Sequence, residues 1–206
     1  MKERVIYINN DKALQNAEKL REKTSSSEVF RNALRKILYP NKKNIIRKII
    51  FLFIEIMIGT IIACQMDTIE LTRQVIDVFI TILLALIAIV FTGYAFFQAL
   101  VNDKMLVALL SVDSEEGNLI GSNKYFTEVM IFQVGCLLLN MLIMIFMIIL
   151  PQYWNLFNNA YLNVVLSIIL LTSVFYCNVE GIWEMKSFIF NVFQLFNLHA
   201  YSRIKK

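Results

Sequence analysis

The chain has 206 residues and a net charge of +4, with 58% hydrophobic and only 17% charged residues. A chain so rich in apolar residues is not an ordinary soluble domain, which has fewer of them around its core. The composition therefore predicts an all-α, polytopic membrane protein, because a membrane helix satisfies its own backbone hydrogen bonds.

Residues 1–47 are predicted to form a basic, helical cytoplasmic segment. Residues 5–8 have the pattern of a short strand, and residues 11–23 that of an amphipathic helix. Ser25–Glu28 matches a capping box, in which a Ser hydroxyl accepts a hydrogen bond from a free backbone N–H. The helix that begins there is predicted to end at Pro40, which cannot continue a helix.

This second helix is amphipathic and basic. Its apolar face consists of Phe30, Ala33, Leu34, Ile37 and Leu38. Candidate membrane-surface residues near it are Arg31, Arg35, Lys36, Lys42 and Lys43. Two interpretations stay open: the helix binds an anionic inner leaflet, or its apolar face packs on other cytoplasmic elements of the protein.

Four apolar segments are predicted to cross the membrane. A span needs about 20 apolar residues to cross ~30 Å of hydrocarbon. The predicted spans are Lys48–Met66, Val75–Ala99, Thr127–Leu150 and Ala160–Trp183. Together they define a four-helix transmembrane domain over residues 48–183, with a cytoplasmic loop at residues 100–126.

The distribution of basic residues predicts the orientation of these spans. Thirteen of the 20 Lys and Arg residues precede or begin the first span, whereas the first short loop contains Arg73 alone and residues 151–159 contain none. Basic segments resist translocation and remain cytoplasmic. Both termini and the central loop are therefore predicted to be cytoplasmic, in the cytoplasmic (inner) membrane of a bacterium.

Glu55 is the sharpest candidate for a functional residue. It lies seven residues after Lys48 and thus ~10 Å into the membrane, where a charge costs about 2.5–3.5 kcal/mol. Gly59 and Ala63 follow on the same helix face and permit another helix to approach closely. This stripe is either the lining of a pore or proton-sensitive site, or a packing seam in which a protonated or hydrogen-bonded Glu55 joins two helices.

Other polar residues of the spans have structural interpretations. Asn140, in mid-span, is predicted to form an interhelical hydrogen bond. Glu180 and Glu184 lie one turn apart and together suit a cation, but their position near the cytoplasm favours solvated side chains. Trp183 lies where an aromatic interface belt is expected.

The fourth span continues into an apolar, aromatic segment over residues 184–206. Its candidate interface residues are Phe188, Phe190, Phe193 and Phe196. An apolar helix cannot stand uncovered in the cytoplasm, so it either lies along the inner leaflet after a bend near Gly181 or packs against neighbours. Either arrangement favours a homo-oligomer or a cytosolic protein partner.

The sequence contains no recognisable catalytic motif, metal-ligand spacing or phosphate-binding loop. We therefore expect no enzymatic activity, no cofactor and no metal. The N-terminal basic excess is explained by topology, so no direct nucleic-acid binding is expected.

In size, number of spans, topology and cytoplasmic extensions after Ala99 and Trp183, the chain resembles small four-helix membrane subunits of bacterial phage-defence systems. Examples are the membrane component of Kiwa and the membrane accessory proteins of type VI CRISPR loci. The resemblance implies an oligomeric pore-forming effector, a membrane sensor or a membrane anchor for a cytosolic partner. The alternative is an accessory subunit of a membrane transporter.

The predicted orientation can be tested by cysteine labelling in intact cells. In a background with Cys64, Cys136 and Cys177 replaced, Asn158→Cys and Glu70→Cys should react with a membrane-impermeant thiol reagent. Ser114→Cys should react only after the cells are lysed, which is the control for its intrinsic reactivity. Labelling of Ser114→Cys in intact cells contradicts the orientation.

Overall fold

A computed structural model describes residues 15, 16, 18, 25–42, 44–100, 106–107, 119–152 and 154–204. Within these residues it contains five long helices and no strand, which confirms the all-α prediction for this part of the chain. The helices are α1 (Ser26–Leu38), α2 (Ile45–Ala63), α3 (Thr68–Leu100), α4 (Leu119–Ile149) and α5 (Ala160–Ile204). The predicted strand at residues 5–8 and most of the predicted helix at 11–23 lie outside the described residues.

Three segments are long and apolar enough to cross a membrane. They are Thr68–Phe96, Gly121–Ile149 and Ala160–Gln194, and they correspond to the second, third and fourth predicted spans. Helix α2, which contains the first predicted span, does not qualify because its 19 residues include Arg47, Lys48 and Glu55. By length and composition, the described residues therefore contain three membrane-spanning helices and not the predicted four.

The Ser25 half of the capping box predicted for α1 is confirmed. The Glu28 backbone N–H donates a hydrogen bond to the Ser25 hydroxyl over 3.2 Å. Helix α1 ends at Leu38, just before Pro40. On its apolar face, Ala33 and Ile37 are buried.

The chain divides into two compact units. The first consists of residues 1–33, 88–131 and 185–206, and the second consists of residues 34–87 and 132–184. Helix α2 lies entirely in the second unit, whereas the other four helices contribute to both.

Aromatic side chains form the core of the first unit. Phe126 and Phe188 are buried, and their rings meet edge to face with centroids 5.2 Å apart. Tyr94 lies on the other side of Phe126, at 6.1 Å between centroids. The missing side chain of Gly93 leaves room for the Phe188 ring. A Cβ atom at Gly93 would lie only 2.9 Å from the Phe188 Cζ atom.

In the second unit, α2 packs antiparallel to α5. Arg47 near the start of α2 pairs with Glu180, whereas Gly59 further along faces Leu171 and Thr172. A Cβ atom at Gly59 would lie 3.1 Å from the Thr172 Oγ1 atom, so the missing side chain sets the close approach of the two helices. Ala63 belongs to the apolar cluster beside this contact.

Helix α2 has the polarity that is expected of a helix surrounded by lipid. The residues that it buries are Lys48, Glu55, Gly59, Ile62 and Ala63. The large apolar residues that it exposes include Ile46, Ile49, Ile50, Phe53, Met57 and Ile61. A helix in water usually buries its apolar face instead.

Candidate functional site: a buried charged cluster

A charged cluster lies between α2 and α5 in the second unit. The Arg47 guanidinium donates a hydrogen bond to the Glu180 carboxylate over 2.9 Å, and the Lys48 ammonium lies 3.3 Å from the same oxygen. Glu180 has no solvent exposure and Lys48 is 5% exposed. A buried carboxylate requires such pairing, since taking an unpaired ion out of water costs several kcal/mol.

Lys48 also connects this cluster to the C-terminal end of α1. Its ammonium group donates to the carbonyl oxygen of Leu38 over 3.0 Å and to that of Ile37. The Tyr176 hydroxyl of α5 donates to the Leu38 carbonyl over 2.6 Å. The last carbonyl groups of a helix have no partner within it and carry the negative end of its dipole, so a cation there is favourable.

Aromatic rings hold the two cations in place. The guanidinium carbon of Arg47 lies 4.8 Å from the centroid of a Trp183 ring and 5.6 Å from that of Phe51. The Lys48 ammonium lies 5.6 Å from the Tyr176 ring centroid. A cation over a ring face gains about 0.5–2 kcal/mol, more where water is absent.

Glu55 lies seven residues after Lys48 on the same buried face of α2, beside an apolar cavity of about 300 Å³. It is 3% exposed, and neither of its carboxylate oxygens has a hydrogen-bond partner among the described residues. The other residues that line the cavity are Phe51, Ile54, Ile58, Val75, Phe79, Phe175 and Val179. Glu55 is the one polar residue of the described lining, and its two carboxylate oxygens are buried away from the cavity surface.

A second polar contact joins α4 and α5. The Asn140 and Asn178 side chains exchange hydrogen bonds of 2.7 and 3.1 Å, which confirms the interhelical bond predicted for Asn140. The Gln133 amide donates to the Gly181 carbonyl over 3.3 Å. These bonds fix the register of α4 on α5 in the second unit.

The predicted stripe of Glu55, Gly59 and Ala63 is buried, on the face of α2 that packs against other helices of the second unit. The predicted aromatic interface divides into two sets. Phe188 is buried in the first unit, whereas Phe190, Phe193 and Phe196 are each more than half exposed.

The candidate membrane-surface residues lie mostly on the outside. Arg31, Arg35, Lys36 and Lys42 are exposed, and Lys43 lies outside the described residues. Lys36 makes an interaction within the chain. Arg31 and Arg35 are thus exposed positive charges on α1.

The prediction of a solvated side chain is wrong for Glu180, one of the two carboxylates at the end of the fourth span. Glu180 was expected to be solvated and is instead fully buried, because Arg47 and Lys48 neutralise it. Trp183, expected at an interface belt, is half-buried beneath Arg47. The sequence carries one signal of a charged cluster inside the protein. Lys48 lies seven residues before Glu55, so the two charged residues occupy the same face of α2.

A larger cavity, of about 570 Å³, lies in the second unit near the junctions of α2 with α3 and of α4 with α5. Its lining is mostly apolar and includes the buried Thr72. None of its described lining residues carries a buried polar side-chain atom without a partner. It is thus less distinctive chemically than the cavity at Glu55.

Comparisons of the chain with protein-family models, curated proteins and solved structures give no significant match. Within the described residues, no group of three His, Cys, Asp or Glu side chains is placed to hold a metal ion. The charged cluster is therefore the feature of the described residues from which we infer the function.

A double-mutant cycle tests the coupling between Lys48 and Glu180. Glu180→Gln should destabilise the protein by about 3–5 kcal/mol, because it leaves Arg47 and Lys48 without their buried counter-ion. Lys48→Met should destabilise it by about 1–3 kcal/mol, because Arg47 still pairs with Glu180 but the Ile37 and Leu38 carbonyl groups lose their donor. The double variant should lose less than the sum, by about 0.5–3 kcal/mol. Unfolding in detergent measures these values, with the exposed Lys42→Met as the near-neutral control. Strict additivity contradicts the pairing.

Proposed function

We propose that this chain is a non-enzymatic integral membrane protein that acts as a membrane sensor or as a membrane anchor for a cytosolic partner. The observation that carries the proposal is the position of Lys48. The ammonium group of this α2 residue contacts both the end of α1 and the Glu180 carboxylate of α5. A displacement of α1 therefore acts directly on the charge balance inside the bundle.

In this proposal α2 is a fourth membrane span. It lies antiparallel to α5, a candidate span, over much of its length, and therefore reaches similar depths in a bilayer. Its charges face inward, where Arg47 and Lys48 meet Glu180, and its exposed surface is apolar. Pairing and inward placement are how ionisable residues are tolerated in membranes.

Four spans place α1 and both termini on the same side of the membrane. The excess of basic residues assigns that side to the cytoplasm of a bacterial cell. Arg31 and Arg35 on α1 are then available to anionic headgroups or to an acidic surface of a cytosolic protein. Either ligand shifts α1, and Lys48 transmits the shift to Glu180.

A pore-forming effector is the second candidate, and the buried, unpartnered Glu55 favours it. An ionisable carboxylate is costly inside a membrane. The few that occur there commonly mark a pathway for ions or protons. However, the stripe of Glu55, Gly59 and Ala63 is closed by α5 within one chain. Ion flow along this stripe requires α2 and α5 to separate.

An engineered disulfide distinguishes the two candidates. A Cβ atom at Gly59 would lie 3.6 Å from the Leu171 Cβ atom, within the ~3.5–4.5 Å that a disulfide requires. Gly59→Cys with Leu171→Cys, in a background without native cysteines, should form the bond and lock α2 to α5. Met57→Cys with Leu171→Cys is the control, because Met57 lies on the exposed face.

We expect cells that express the locked variant to exclude a membrane-impermeant dye both before and after reduction, as a sensor or anchor does. Dye uptake that appears only after reduction contradicts this expectation and supports a pore that opens between α2 and α5. Protein recovered from the membrane in equal amounts under both conditions is the control for expression.

The biological setting is also a proposal, which the resemblance to phage-defence membrane subunits supports. The exposed residues Phe190, Phe193 and Phe196 suit contacts with a second copy or with lipid. A nuclease or nucleotide-sensing gene beside this gene favours a defence anchor. A permease or ATPase gene favours the transporter subunit.

A further inference from the structure

The larger cavity of the second unit lies among three helices and two connecting segments. The helices contribute the beginning of α3, the end of α4 and the beginning of α5, and the connections contribute residues 64–66, 152 and 154–156. Its volume of about 570 Å³ lies inside the range of roughly 300–1,000 Å³ that is typical of small-molecule sites. Part of its surface is polar, whereas the surface of the cavity beside Glu55 is wholly apolar.

The lining changes from polar to apolar with distance from the connecting segments. The polar residues in or next to these segments are Gln65, Thr68, Gln152, Asn155 and Asn163. The lining residues further along the helices are apolar and include Ile76, Ile143, Leu171 and Val174. Val174 lies ~21 Å along α5 from Ala160, at 1.5 Å per residue. The cavity therefore has a polar end and a long apolar end.

None of the described residues that line this cavity carries a charge. The charged residues around the start of α3 are Asp67, Glu70 and Arg73, and all three lie outside the lining. Glu70 and Arg73 pair with each other. A charged group that entered the cavity would thus lose its water without gaining a counter-ion, which is unfavourable.

The polar end has the chemistry to bind a hydroxyl group. Gln65 and Gln152 are exposed there, and an amide side chain both donates and accepts hydrogen bonds, as a hydroxyl does. A ligand that is apolar throughout would displace water from these amides without replacing its hydrogen bonds. Trp154 also lines this end, and tryptophan is common where a membrane meets water.

We propose that this cavity binds an uncharged, single-chain amphiphile of the monoacylglycerol class. Its hydroxyl-bearing head lies beside Gln65 and Gln152, and its hydrocarbon chain extends toward Ile76 and Val174. The inference goes beyond the sensor or anchor function and does not depend on it, since it rests on the cavity alone.

The test is photolabelling of the full chain in phosphatidylcholine nanodiscs, which contain no single-chain detergent. The probe is monodecanoylglycerol with a diazirine in its chain, and mass spectrometry locates the labelled residues. Labels should lie within residues 143–150 and 160–174, and excess monodecanoylglycerol should reduce them by at least about tenfold. Decyl sulfate and decyltrimethylammonium, at equal amounts in the membrane, should reduce them by less than about twofold, because their heads are charged.

A variant that fills the cavity should abolish this labelling. Ser167 lines the cavity and is half-buried, so Ser167→Phe places a ring in the space that the chain occupies. Ser173→Phe is the matched control, because Ser173 is exposed on the same helix and lies outside the lining. We expect labelling to fall by at least about tenfold in Ser167→Phe and to stay at the native level in Ser173→Phe.

An exposed variant keeps the test informative if Ser167→Phe does not fold. Gln152→Lys places a cation at the polar end, so decyl sulfate should now compete about as well as monodecanoylglycerol. Asn158→Lys is its control, because Asn158 is exposed in the same connection but does not line the cavity. Decyl sulfate should remain a weak competitor in that variant.

Three results overturn the proposal. The first is labelling that excess monodecanoylglycerol does not reduce, which would mark contact with bulk lipid only. The second is equal competition by the uncharged, anionic and cationic amphiphiles in the native chain, which would mark an unselective apolar crevice. The third is labelling of residues 143–150 and 160–174 that is as strong in folded Ser167→Phe as in Ser173→Phe.

Discussion

The carboxylate of Glu180 determines how the second unit is assembled. It is fully buried in a helix whose surroundings are apolar, and an uncompensated ion there costs several kcal/mol. Arg47 and Lys48 compensate it, so the beginning of α2 must lie beside the middle of α5. That requirement sets the antiparallel pairing of the two helices, and Gly59 and Ala63 then allow the close contact further along.

The same pairing ties α1 to the bundle. Because Lys48 carries three donors, it can contact Glu180 and the last carbonyl groups of α1 together. Arg47 alone neutralises the charge of Glu180 through one charge-assisted hydrogen bond, so the additional cation provides a link to α1 that simple neutralisation does not require. The charge of the three residues is +1, from two cations and one anion, and an ionised Glu55 would bring the site to zero.

Much of the fold follows from hydropathy and local signals, whereas the charged cluster does not. Three spans, the Ser25–Glu28 cap and the Asn140 bond were predictable, because each depends on nearby residues or on a mid-span amide that needs a partner. The partners of Glu180 were not, because they lie more than a hundred positions away in the sequence. Helix α2 shows where a count of charges fails as a criterion for a membrane span. The count excludes α2, although in the structure its charged residues face the inside of the second unit.

Pulsed electron paramagnetic resonance in lipid bilayers tests most directly whether Lys48 holds α1 against the bundle. Spin labels at Arg35→Cys on α1 and Tyr161→Cys on α5, in a background without native cysteines, report the distance between two exposed positions of the second unit. The native chain and the Lys42→Met control should give one narrow distance distribution, and Lys48→Met should give a broad one. A distribution that stays equally narrow in Lys48→Met would contradict the account.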